Sequence, residues 1–189
     1  MSKLFAATGQ NTRRNAGKRA IDTEVLLRES QSQSSDSDRY QKAVARMNYL
    51  HSRYRKAGKI LDDDMLHTLG SNVVEALRIV NNSEWRPLTD VERCAIGVFH
   101  KNLGDDLGIL FTPLPSSDQG WQDGVHFAEE LRNWTIQHEV TAAKFAPTND
   151  QYVRVYVDSA IDKFPKPIVT FVRKALGAEL DDTMRKSLG

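Results

Sequence analysis

The sequence predicts an all-α fold, a globin-like bundle of several helices. Three observations carry the prediction. Apolar residues return every three or four positions through five long stretches. Helix-starting and helix-stopping residues bound those stretches. The single alternating run, residues 152–157, has no partner strand, which favours helix there too.

Taken in order, residues 1–17 are small and polar and are expected to be poorly ordered. Residues 18–29 predict a short helix with Ile21, Val25 and Leu26 on one face. A polar loop, QSQSSDSD over 31–38, follows and offers an N-cap. The next helix, over 38–57, aligns Val44, Met47, His51 and Tyr54 in one stripe, which puts His51 on the buried apolar face. Gly58 ends it, and Arg53, Arg55 and Lys56 suit the negative end of the helix dipole. Three aspartates at 62–64 open a helix whose stripe is Leu66, Leu69, Val73, Leu77 and Val80, closed by Asn81 and Asn82. Thr89 and Glu92 form a capping box before Ile96, Phe99, Leu103 and Leu107. A proline loop at 111–119 precedes a helix over 120–140 that aligns Phe127, Leu131, Trp134 and His138. Three shorter segments are expected at 151–162, 167–176 and 181–187. The last has no stop signal, which predicts a shortened chain. Residues 1–189 are read as one helical domain.

The totals are those of an ordinary globular protein, with 40% hydrophobic and 27% charged residues and a net charge of +1. They give no reason to expect a nucleic-acid partner. Charge is uneven: residues 1–60 hold 13 Lys/Arg against 5 Asp/Glu, and the remainder 13 against 20. The basic end can face the acidic remainder of the same protein, a membrane or a polyanion. The lone Cys94 excludes an intrachain disulfide and a cysteine-based zinc site, and reads as a small buried hydrophobe. No apolar run approaches the roughly 20 residues that span a bilayer. Membrane association is therefore expected to be peripheral, or to depend on sequence outside these residues.

Five histidines are the candidates for chemistry: 51, 67, 100, 126 and 138. No HExxH, CxxC, GxSxG, Walker or GxGxxG pattern accompanies them. His51 has two readings: a core histidine satisfied by buried partners, or a ligand for a metal or haem iron in a dry pocket. The neighbouring Arg53, Arg55, Lys56 and Lys59 could neutralise ligand carboxylates, or could form a solvated helix end. Arg19 and Thr23 lie four apart on one helix face. Asp64-x-x-His67 and Asp123-x-x-His126 repeat a carboxylate–imidazole pair, with Glu75, Glu129 and Glu130 available for a non-haem dimetal site. The competing reading of both pairs is capping and surface packing. His100 and His138 read as structural.

Three long segments, taken together, are familiar: ARMNYLHSRYRKAGKILDDDML (45–66), EWRPLTDVERCAIGVFHKNLGDDLGI (84–109) and PLPSSDQGWQDGVHFAEE (113–130). They resemble fungal members of the MpaB-type, ER-bound oxygenase family, which shares its catalytic domain with bacterial latex-clearing protein, a rubber oxygenase. The resemblance covers roughly residues 2–188. It implies an all-α, globin-like core, a b-type haem, and dioxygen used to cleave isoprenoid double bonds. It also implies an ER-membrane location and an apolar or prenylated substrate in secondary metabolism. Its fingerprint is Arg-x-x-x-Thr on one helix and a haem-ligating His about thirty residues on. Arg19-x-x-x-Thr23 and His51 match it. The resemblance thus makes His51 the iron ligand and Arg19 and Thr23 pocket residues, and within the basic cluster beside His51, Arg55 is the expected partner for a haem propionate. Asp22 stands where some rubber oxygenases carry an iron-binding lysine, so that second ligand is not carried over. The rival expectations are an inactive paralogue serving as a binding module and the dimetal oxygenase.

Overall fold

The computed structural model describes residues 2–10, 12–142, 144–161, 164–178 and 186. Among them every regular element is a helix: α1 Ser2–Ala7, α2 Arg13–Ser32, α3 Asp38–Lys56, α4 Asp62–Ser83, α5 Asp90–Asp106, α6 Gly124–Ala142, α7 Pro147–Ile161 and α8 Lys166–Ala178. The all-α expectation therefore holds, including for the alternating run at 152–157, which lies inside α7. The helix expected at 181–187 falls outside the described residues except for Lys186.

The chain divides into two compact units, one of residues 1–33 with 139–189 and one of Ser34–His138. In the first, α1 and α2 pack on α7, and α7 meets α8. Composition predicts little order over 1–17, yet α1 buries Leu4 and Phe5 there. Phe5 stacks on Tyr152 with ring centroids 5.4 Å apart. Two apolar side chains are enough to hold a helix that averaging over a polar stretch conceals.

The second unit holds the core of α3 to α6, with Leu66, Val73, Leu114, Phe127 and Leu131 fully buried. Its helix ends follow the sequence signals. Thr89 Oγ1 accepts from the Glu92 amide at 3.4 Å, and the Thr89 amide donates back to the Glu92 carboxylate at 2.8 Å. Ser37 caps α3 by accepting from the Tyr40 amide. Gly58 adopts φ +62°, and the Lys59 amide reaches the Tyr54 carbonyl at 2.9 Å, the αL termination that glycine permits. Glycine also sets helix approach. A Cβ on Gly70 of α4 would overlap the Thr135 hydroxyl of α6.

Candidate functional site

The second unit carries all five histidines. His51 lies on α3 beyond Val44 and Met47, which are buried, and is itself half-buried like Tyr54. The apolar stripe is thus less covered toward its C-terminal end than periodicity suggests. The His51 Nδ1 atom is nevertheless shielded from solvent. Arg55, one turn on, is committed within the protein. Its guanidinium donates to the Gly108 carbonyl at 3.0 Å and to Asp62 at 2.9 Å, and reaches the Leu107 carbonyl at 3.5 Å. It therefore closes the loop after α3 onto the end of α5.

Arg19 and Thr23 belong to the first unit, on α2. Arg19 holds its guanidinium carbon 3.8 Å from the centroid of the Phe5 ring, a cation–π contact. Thr23 is exposed, and Asp22 beside it pairs with Lys18 at 2.6 Å.

The two Asp-x-x-His pairs do not converge on one centre. His67 on α4 faces His138 on α6, with ring centroids 5.3 Å apart, and Trp134 stacks on His138 at 4.8 Å. His126 instead joins a network with Ser116, Trp121 and Glu130. The Gln122 amide donates to His126 Nδ1, so Nε2 carries the proton and donates to Glu130 at 3.0 Å. Ser116 Oγ donates to the same Glu130 oxygen at 2.6 Å, and the Trp121 indole N–H donates to the other at 2.8 Å. Burial pushes the Glu130 carboxyl up, but the hydrogen bonds from Ser116, Trp121 and His126 outweigh it and hold its pKa below the ordinary value. With histidine and serine both donating to one carboxylate, no basic nitrogen faces the serine, and this is not a nucleophilic triad. Its role is to fasten the 111–121 loop to α6. Among the described residues no group of three or more His, Cys, Asp or Glu is arranged to hold a metal ion. The dimetal expectation thus loses its ligand set.

His100 is buried on α5 and donates Nδ1–H to the Ile96 carbonyl at 2.8 Å, as its structural reading predicts. Cys94 is half-buried rather than fully enclosed. Sequence reading missed the His67–His138 pairing and the Ser116–Glu130 link. Trp134 and His138, one turn apart, were a local signal for the first. The second joins a loop to a helix and had none.

A cleft of about 420 Å³ in this unit is lined by Leu77, Asn81, Leu88, Arg93, Ala128 and Arg132 among others, and does not include His51. His51 would suit a haem-iron ligand by chemistry, as an imidazole with a shielded nitrogen on an apolar stripe. Arg55 already directs both terminal nitrogens of its guanidinium to Asp62 and to the carbonyls of Leu107 and Gly108.

The fold and these side chains define a class broadly: an all-α protein with imidazoles on its helix faces and, among the described residues, no serine triad. Similarity narrows it. The chain is 45% identical over 141 residues to a protein named ER-bound oxygenase mpaB from Penicillium roqueforti, which covers 74% of this chain and 47% of that protein. It is 36% identical over all 189 residues to ER-bound oxygenase mpaB' from Penicillium brevicompactum, covering 45% of that protein. A second Penicillium brevicompactum protein, ER-bound oxygenase mpaB, is 44% identical over 140 residues, or 36% of its length. The chain belongs to this fungal MpaB family, and it spans less than half the length of the relatives it matches. No protein-family model matches the chain, and no solved structure does.

Proposed function

We propose that this chain is the haem-binding part of an oxygenase of fungal secondary metabolism. It would act with dioxygen on an apolar or prenylated small molecule at the ER membrane. The observation that carries the reading is the ordered set Arg19, Thr23 and His51, inside a chain aligned over its whole length with a protein named an ER-bound oxygenase. In this reading His51 holds the iron. Arg19 keeps the N–H edge of its guanidinium for an anionic group while its face rests on Phe5. Thr23 offers a hydroxyl to a polar atom of the ligand. Bound haem would supply the iron that activates dioxygen, and the helix stripes would supply an apolar surround.

The test is the absorption spectrum of the protein purified with haem available. The reading expects a Soret band that His51→Ala abolishes or shifts. It fails if no band forms, or if the substitution leaves the band unchanged. A second reading, a helical binding module without chemistry, is favoured by the engagement of Arg55 and by a described cleft that lies away from His51. That reading expects no Soret band and an unaltered fold in His51→Ala.

A further inference from the structure

The α8 helix divides sharply by chemistry. Ile168, Phe171, Val172 and Ala175 recur at helical spacing and share one face, and Phe164 lies in the turn just before the helix. This face is open to solvent. Phe171 is 73% exposed, Phe164 49% and Ile168 45%. The charged positions of α8 are Lys166, Arg173 and Lys174, and the helix contains no acidic residue. Elsewhere the exposed apolar side chains are interleaved with acids and bases, as Ile21 and Val25 are with Asp22 and Glu24 on α2, or Trp85 with Glu84 and Arg86. Among the described helices of eight or more residues, only α8 couples exposed large apolar side chains, Ile168 and Phe171, with a sequence whose charges are all positive.

We propose that α8 docks on an anionic lipid surface. Its apolar row would enter the headgroup boundary, and the exposed Lys174 would meet lipid phosphates and carboxylates. A helix with this division lies in the membrane plane, held by buried apolar area and by attraction to anionic headgroups. No helix among the described residues is long and apolar enough to cross a membrane. Charge decides between occupants. A second copy of this helix would bring like charges together, whereas an anionic lipid surface complements them. The proposal deepens the membrane part of the function proposed above and is independent of its haem part.

The test is co-sedimentation of the 189-residue chain with vesicles of phosphatidylcholine alone and of phosphatidylcholine with roughly 30% phosphatidylserine. Binding to the mixed vesicles is expected, weakened at high salt. Phe171→Ser with Ile168→Ser should weaken it about tenfold or more, and Lys174→Glu should weaken it severalfold. These side chains are exposed, so circular dichroism and the melting temperature should match the parent chain. If the parent binds and the α8 variants bind equally, the assignment to α8 is overturned while the membrane reading stands. If the parent binds neither vesicle, both fail for this chain. If the parent is a dimer by light scattering and Phe171→Ser makes it monomeric without changing vesicle binding, the face is a self-association surface and the proposal is overturned.

Discussion

Gly97 of α5 and Gly124 at the start of α6 meet backbone to backbone. A Cβ on Gly97 would overlap the Gly124 carbonyl, and a Cβ on Gly124 would overlap the carbonyl of Cys94. Backbone cannot swing aside as a flexible side chain can, so the two helices must part to admit even a methyl group. This crossing fixes where α6 enters the core, and with it the position of Phe127 and Leu131.

Gly97→Ala should therefore destabilise the protein by about 2–4 kcal/mol. Gly17→Ala is the contrast, because Gly17 is inside α2 and a methyl group there would meet nothing within 4 Å. That change should stabilise by about 0.5–1 kcal/mol through helix propensity. Urea unfolding followed by circular dichroism reads both. Equal midpoints for the two variants would show that the α5–α6 crossing is not as close as described.

Arg55 is a strut in this structure. Its side chain is 28% exposed and bridges Asp62 to the end of α5. The ion pair contributes little, since Asp62 is half in water, but the donation to the Gly108 carbonyl ties two helix ends. Arg55→Ala should lower stability by about 1–2 kcal/mol in the absence of haem, measured as a fall in denaturation midpoint. A variant of unaltered stability that instead loses haem affinity would restore Arg55 to the ligand side.

His100 couples stability to pH. Burial lowers the pKa of its imidazole, more than its bond to the Ile96 carbonyl raises it. The unfolded chain then binds a proton that the folded chain refuses. The stability contributed by the neutral form is complete above the unfolded value of about 6.5 and is lost as pH falls below it toward the folded value. His100→Gln removes that titration. The slope of unfolding free energy between about pH 7 and pH 5 should flatten in the variant, and a slope identical to the parent's would exclude His100 as its source.

Most of the helices and several of their ends were legible in the chain, although α1 was not, α2 begins at Arg13 rather than 18, and α6 begins at Gly124 rather than 120. The Thr89–Glu92 box, the Gly58 stop and the Leu66–Val73 stripe are local, and each formed where its residues predict. The Arg19, Thr23 and His51 set is of another kind: it is an expectation drawn from resemblance to a family, and the haem spectrum of His51→Ala tests it. Residue order thus sets the helical class, several of the helix boundaries and the kinship. Packing in three dimensions chose the partners. It brought His67 to His138, bound Ser116 to Glu130, occupied Arg55 with the end of α5, and left the Phe171 face uncovered. The difference is one of range. Capping and periodicity act within one or two turns, whereas which side chains meet across helices depends on how closely backbones approach, as Gly97 and Gly124 do.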